Sequence, residues 1–202
     1  MKKYYPFLSI FLINLVPIIG VLFLGWNVGQ IILIFLLESF WIGLFNLIKM
    51  AISRDNSTES IFMKVISRLF LMGFFCFHYF FFLFILSIFV STIVIHNGHL
   101  HISHINFFFI NLVIGLGCTS NFITDFVLPK KYLSPPADLF LAPYRRVWIL
   151  AALIFAGGFI SHQGLGSQYF YLIILVLAKI VADIVSAYLF NWVKPYTKDS
   201  LE

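Results

Sequence analysis

Apolar residues form long, almost unbroken stretches along this chain, and polar residues are gathered into the short links between them. Six apolar runs can be read from the sequence: residues 6–26, 30–52, 65–95, 106–129, 147–160 and 169–193. An α-helix needs about 20 such residues to cross a hydrocarbon layer of about 30 Å. The pattern therefore predicts an all-α, polytopic membrane helical bundle with six transmembrane helices. Because the runs are unbroken and do not alternate, they exclude a barrel.

Two of the runs depart from the expected length. The third is long enough to tilt or to project from the membrane. The fifth is short on its own, and we expect its helix to begin inside the segment 139–144. The pair Pro135-Pro136 before it predicts extended backbone, followed by a helix start capped by Asp138.

Composition supports the same class of protein. The chain has 202 residues, of which 61% are hydrophobic and only 10% are charged, whereas soluble domains contain about 25% charged residues. The loops are too short for a second fold, so residues 1–200 are predicted to form a single domain. The closing pair Leu201-Glu202 is expected to be a cloning scar.

The basic residues predict the orientation of the bundle. All but one of the thirteen Lys and Arg residues lie before the first run, after the sixth, or around two alternate links, from the second run to the third and from the fourth to the fifth. The other three links contain none. The positive-inside rule then predicts cytoplasmic termini in an inner (cytoplasmic) cell membrane, with Arg145 and Arg146 as loop charges. The expected partner is the lipid bilayer, and no nucleic acid is expected because the basic residues form no common face.

The remaining basic residue, Lys179, lies with Asp183 in the middle of the sixth run. A charge at bilayer depth costs about 2.5 to 3.5 kcal/mol on insertion scales, so it persists only when it is paired or needed. Counting residues from the ends of the runs brings Glu38 to a similar depth and places His78 and Tyr79 in the same layer. These five residues are the predicted site for a ligand or an ion.

Several functions fit this predicted site. Glu38 and Asp183 supply two carboxylates for Lys179, which suggests that a proton or a cation joins them. We therefore expect binding or translocation of a proton, a small cation or a small polar solute, with a homo-oligomer left open. The alternatives are a membrane-embedded enzyme or metal protein that uses His78, and a scaffold or accessory subunit whose charges only fix helix packing.

The link between the third and fourth runs is rich in histidine. Its four imidazoles are candidate ligands for Zn²⁺ or Cu²⁺: His96, His99, His101 and His104. No Cys, Asp or Glu accompanies them, so a solvated loop is the alternative interpretation.

The sequence contains none of the classical enzyme or nucleotide-binding motifs. No catalytic residue is therefore predicted, and the identity of any cofactor stays unknown. Cys76 and Cys118 both lie inside apolar runs and are predicted to be buried thiols without a disulfide.

Several stretches together resemble an uncharacterised family of small, multi-pass bacterial and archaeal membrane proteins. They are NLVPIIGVLFLGW at 14–26, ESFWIGLFNLIKM at 38–50, the pair His78-Tyr79, PYRRVWILAALIFAGGF at 143–159, and Lys179 with Asp183. The resemblance implies a shared helical bundle and supplies no activity. The chain departs from the family pattern after Tyr79, where Phe80 and Ile85 stand in place of a Gly and a further His.

Overall fold

In a computed structural model, the structure describes residues 17, 19–20, 23, 25–26, 28–54, 58, 60–97, 104–162, 173–181 and 184. Most of these residues are helical, and no strand occurs among them. The helices are α1 (Val28–Ile52), α2 (Ile61–Asn97), α3 (His104–Phe122), α4 (Pro136–Phe140), α5 (Tyr144–His162) and a last stretch, α6, at 173–181. A π-helix, Ile123–Val127, continues α3, and a 3-10 helix, Lys131–Leu133, lies in the following link.

Within the described part of the chain, three helical segments are long and apolar enough to cross a membrane, namely Gly29–Ile52, Ile61–Thr92 and Phe107–Val127. The predicted helical fold class is therefore confirmed, and these helices mark the chain as a membrane protein. Their bounds follow the second, third and fourth apolar runs closely. Most of the first run, and the sixth apart from 173–181 and residue 184, lie outside the described residues.

Helix α1 lies at the centre of the described bundle and packs against α2, α3, α4 and α5. Its side chains Ile31, Ile32 and Phe35 are almost completely buried. By contrast, α2 exposes large apolar side chains such as Phe77 and Phe84 along its outer face. Lipid tails are as apolar as these side chains, so an outer face of this kind suits a helix in a bilayer.

Helices α1 and α2 pack tightly at Gly43. A Cβ atom at this position would overlap the ring of Tyr79. The Tyr79 ring stacks on Phe75, with centroids 4.9 Å apart, and its hydroxyl donates a hydrogen bond of 2.8 Å to the carbonyl oxygen of Ser39. A glycine is therefore required at position 43 for this packing.

A short separate helix precedes the fifth predicted span. Pro135 is extended (φ −59°, ψ 148°) and Pro136 opens α4, which ends at Phe140. After a turn, α5 begins at Tyr144, inside the segment where the sequence placed the start of this helix. The predicted cap is wrong: Asp138 lies within α4, and the capping residue is Pro135, which makes no side-chain cap bond.

The short helix α4 lies inside the bundle, in contact with α1 and α2. The side-chain amide of Asn46 in α1 donates a hydrogen bond of 3.1 Å to the carbonyl oxygen of Leu139. Asn46 is about 9 Å along the axis from Ile52, the end of α1. The link after α3 therefore folds back between the helices before α5 starts.

Basic side chains gather where α1 ends, and we call this region the basic end: Arg54, Arg68, Lys130 and Lys131. The guanidinium of Arg68 donates hydrogen bonds of 3.2 and 2.7 Å to the carbonyl oxygens of Ala51 and Ser53. The backbone N–H of Arg54 donates to the carbonyl oxygen of Tyr132 at 2.6 Å. These bonds tie the last turn of α1 to α2 and to the link.

Both cysteines are free thiols. Cys118 is buried in α3, as predicted, whereas Cys76 is exposed. The prediction was wrong for Cys76 because the apolar run continues all the way round α2. The pattern therefore does not reveal which side of α2 faces the other helices.

Candidate functional site

The acidic residue Glu38 lies near the middle of α1. At about 1.5 Å per residue it is roughly 15 Å along the axis from Val28 and roughly 21 Å from Ile52. Its exposed fraction is 6%. A carboxylate at this depth has lost its hydration and needs partners within the protein.

Lys179 of α6 supplies the first partner. Its ammonium nitrogen Nζ lies 2.9 Å from Oε2 of Glu38 and 5.0 Å from the centroid of the Phe35 ring. Lys179 is 8% exposed, so the pair is shielded from solvent. A short, charge-assisted contact of this kind is stronger than a neutral hydrogen bond, and the aromatic face adds a favourable cation–π interaction.

Arg146 of α5 supplies the second partner. Its guanidinium nitrogen NH1 lies 3.6 Å from Oε1 of Glu38. The two carboxylate oxygens therefore face cations from two different helices. We call these three residues, Glu38, Lys179 and Arg146, the Glu38 cluster.

Arg146 was predicted to be a loop charge, and its position in the structure shows that this prediction was wrong. The residue lies in the first turn of α5, and this turn is beside Glu38 because the preceding link re-enters the bundle. The three prolines Pro135, Pro136 and Pro143 were the sequence signal for this break. They interrupt the link without showing how deeply it folds back.

Arg146 also changes the charge balance inferred from the sequence. In the sequence, the two acids Glu38 and Asp183 were counted with Lys179 as their single basic partner, which left an excess of negative charge. When Arg146 is counted, the same set has two acids and two bases. The argument that the site requires a proton or a cation to balance its charge therefore fails. Asp183 lies outside the described residues.

The aromatic residue Tyr79 lies close to Glu38 in the fold. Its buried hydroxyl donates to the carbonyl oxygen of Ser39, the residue after Glu38. This bond joins α1 and α2, so the contact seen for Tyr79 is a packing contact next to the cluster.

The predicted site residue His78 lies on the exposed side of α2. Its Nδ1 is 3.0 Å from the hydroxyl oxygen of Tyr144, and its ring stacks on Phe74 with centroids 5.6 Å apart. Tyr144 precedes Arg146 by two residues, so His78 is linked to the start of α5. The structure thus brings Glu38 and Lys179 into contact and places His78 at the surface of the bundle.

The predicted histidine metal site falls largely outside the described residues. His99 and His101 belong to the part that is not described, and only the backbone is described for His96 and His104, at the ends of α2 and α3. Among the described residues, no group of three or more His, Cys, Asp or Glu is placed to hold a metal ion. Metal binding by this link stays a prediction.

The long apolar helices and the buried ion pair define a helical membrane protein with charged side chains in its interior. The chain belongs to a family described only as a family of unknown function (DUF6498), whose model matches residues 3–195. This match confirms the predicted resemblance to an uncharacterised family. No curated protein and no solved structure matches the chain.

Proposed function

We propose that this protein binds a proton or a small polar solute at the Glu38 cluster and moves it across the membrane. The observation that carries the proposal is the ion pair between Glu38 and Lys179, 2.9 Å apart and shielded from solvent. Replacing a buried ion pair with apolar residues of similar volume is often neutral or stabilising. Charges kept at this depth are therefore explained better by a functional site than by stability alone.

The charge balance favours a proton or a polar solute over a metal or alkali cation. A cation at Glu38 would have to displace the ammonium of Lys179 and would face the guanidinium of Arg146. A proton on Glu38 would instead release both cationic partners. A solute carboxylate would compete with Glu38 for Arg146, whose planar fork suits such a group.

We further propose six transmembrane helices with both termini in the cytoplasm of a cell whose inner (cytoplasmic) membrane holds the protein. The positions of Lys and Arg support this arrangement, because they favour a cytoplasmic location for the basic end. The Glu38 cluster would then lie near the middle of the bilayer.

Flux measurements in liposomes test the proposal. The purified protein is reconstituted with a pH-sensitive dye inside the vesicles, and a potassium diffusion potential drives protons inward. We expect dye acidification with the unmodified protein and its loss in Glu38→Gln. The matched control is Asp138→Asn, which neutralises an exposed carboxylate in α4 and is expected to keep the flux.

Solute binding is tested on the same preparation by thermal unfolding. A ligand that binds only the folded state raises stability by RT ln(1 + [L]/Kd). Acetate, glycine and inorganic phosphate are suitable first probes, since each carries an anionic group and they differ in net charge and shape. Because an anionic probe competes with Glu38 for Arg146, stabilisation that is present in Asp138→Asn, stronger in Glu38→Gln and absent in Arg146→Met supports binding at the cluster.

The second candidate function is that of a scaffold or accessory subunit. Its supporting observation is that the Glu38 cluster joins α1, α5 and α6, which is also what a purely structural role requires. Under this alternative, Glu38→Gln lowers the unfolding temperature while the unmodified protein shows neither proton flux nor stabilisation by any probe. That result would overturn the transport proposal.

A further inference from the structure

A second group of charged side chains lies between the helices at the basic end: Lys49, Asp125 and Lys131. We call these three residues the Lys49 cluster. Asp125 lies in the π-helix, which contacts the 3-10 helix that carries Lys131, and the next residue, Phe126, faces Lys49. Lys131 is only 7% exposed, although it lies in a link where the sequence predicts a loop charge.

The π-helix Ile123–Val127 positions this cluster. Its wide turns carry Asp125 and bury Phe126 completely. The ammonium nitrogen of Lys49 lies 5.7 Å from the centroid of the Phe126 ring. Short π-helical segments inside longer helices are frequent at functional sites, so the irregular end of α3 is consistent with a role beyond packing.

The two clusters occupy one side of α1. Glu38 and Lys49 are about 16 Å apart along the axis and nearly in line on its surface. Phe45 lies between them on this side. Its ring contacts Phe122 of α3, with centroids 5.6 Å apart, and Trp41 of α1, with centroids 6.3 Å apart. An aromatic layer therefore separates the two charged groups.

The buried thiol of Cys118 lies beside the aromatic layer. Cys118 precedes Phe122 by four residues in α3, so the two side chains share one face of this helix. The preceding turn of α3 meets the layer as well, because a Cβ atom at Gly115 would lie 3.4 Å from the Trp41 ring.

We infer that the Lys49 cluster is a second binding site on the path of the solute or proton, and that the pair Phe45–Phe122 is the apolar barrier between the two sites. This inference rests on the proposed function and concerns the same transported species. Two sites in series allow a transported species to bind on entry without binding so tightly that it cannot leave. An apolar constriction between them can act as a gate, since such constrictions close other membrane pores by excluding water.

The native thiol of Cys118 gives a direct test. In the background Cys76→Ser, Cys118 is the reporter, and its labelling by a small cationic methanethiosulfonate in liposomes is followed by mass spectrometry. Such reagents attack the hydrated thiolate, so the labelling rate reports water at the barrier. We expect slow labelling in this background and at least tenfold faster labelling in Phe45→Ala. The matched control is Phe109→Ala, which removes an exposed ring from the same helix as Cys118 and should leave the rate unchanged.

The outcomes separate this inference from the proposed function. Equal labelling rates in Phe45→Ala and its background, in protein that unfolds cooperatively, would overturn the barrier even if Glu38→Gln still abolishes flux. Faster labelling without proton flux or solute binding in the unmodified protein would support the barrier and overturn the transport proposal. If Phe45→Ala does not fold, Phe45→Leu and Phe122→Leu remove less of the aromatic barrier. The labelling rate of Cys118 should again be higher than in the background.

The second site has its own test. Lys49→Met should slow proton or solute flux severalfold while the probe that stabilises the unmodified protein still binds at the Glu38 cluster. Lys130→Met, which removes an exposed charge at the same end, is the matched control and should keep the flux. Unchanged flux in Lys49→Met would show that the Lys49 cluster lies off the path.

Discussion

The Nζ atom of Lys179 lies 2.9 Å from Oε2 of Glu38, although these residues are more than 140 positions apart in the chain. The contact joins the central helix α1 to α6 and is almost closed to solvent. Arg146 approaches the other carboxylate oxygen at a longer distance of 3.6 Å. Glu38 is therefore held closely by one cation and more loosely by a second.

This geometry predicts strong coupling between Glu38 and Lys179. Removing one partner of a buried pair leaves an uncompensated charge and typically costs about 3 to 5 kcal/mol. Lys179→Met should cost about this much in detergent-solubilised protein, whereas the double variant with Glu38→Gln should cost clearly less than the sum of the single changes. Denaturant unfolding of all four proteins in a double-mutant cycle measures the coupling.

The control for this cycle pairs Glu38→Gln with Lys130→Met, an exposed lysine outside the cluster. Distant changes usually add within about 0.3 to 0.5 kcal/mol. If the losses of unfolding free energy in Glu38→Gln and Lys179→Met also add in the double variant, Glu38 and Lys179 do not act as a pair.

Much of the helical framework could be predicted because it depends on run length. The second apolar run, 30–52, corresponds to α1 (Val28–Ile52), and the third, 65–95, lies within α2 (Ile61–Asn97). The need to satisfy every backbone hydrogen bond inside a bilayer leaves the helix as the structure for such runs. Hydropathy alone therefore predicts the type of element and its approximate ends.

The composition of the site was harder to predict. Glu38 and Lys179 could be found because charges are conspicuous inside apolar runs. Arg146 was assigned to a loop because it borders the fifth run, and counting charges along a sequence does not show how far a link folds into the bundle. That depth is set by tertiary contacts such as the hydrogen bond from Asn46 to Leu139, which join positions distant in sequence.

The hydrogen bond from Asn46 to Leu139 leads to a second prediction. Asn46→Ala removes a buried hydrogen bond between α1 and α4 that contributes about 0.5 to 1.5 kcal/mol, while the Leu139 carbonyl oxygen still accepts from the backbone N–H of Ala142 at 3.3 Å. The variant should unfold at a clearly lower temperature in detergent. Asn111→Ala is the matched control, because the partly exposed Asn111 accepts a long 3.4 Å contact from Trp41 and otherwise donates only within its own helix, to the carbonyl oxygen of Phe107. Equal losses in the two variants would contradict a special role for the bond at Asn46.

The orientation of the bundle is a third prediction. In a background without Cys76 and Cys118, Ser134→Cys places a thiol in the link at the basic end, and Ser161→Cys places one near the end of α5. The positive-inside rule predicts that an impermeant maleimide added to intact cells labels the thiol at position 161 and spares that at 134. Both should react after the cells are permeabilised, which controls for steric access. The reverse pattern in intact cells would invert the proposed orientation.

The last prediction concerns stability against pH and depends on Lys131. Burial lowers the pKa of this side chain from 10.5 to about 8, even though the Asp125 carboxylate acts in the opposite direction. Between these two pH values the unfolded chain binds more protons than the folded protein, so stability must rise with pH across this window. The shift corresponds to a cost of about 3 kcal/mol that is fully present below pH 8 and disappears as pH approaches 10.5.

Lys131→Met removes the buried charge and should stabilise the protein at pH 7, with an advantage over the unmodified protein that shrinks toward zero by about pH 10. Unfolding free energies of both proteins, measured in steps from pH 7 to pH 10, test this difference directly. Other lysines and tyrosines titrate in both proteins and cancel in the comparison. Lys130→Met, the exposed neighbour, should show no such trend. A stability difference between Lys131→Met and the unmodified protein that stays constant with pH would mean that the pKa of Lys131 is the same in the folded and unfolded chain.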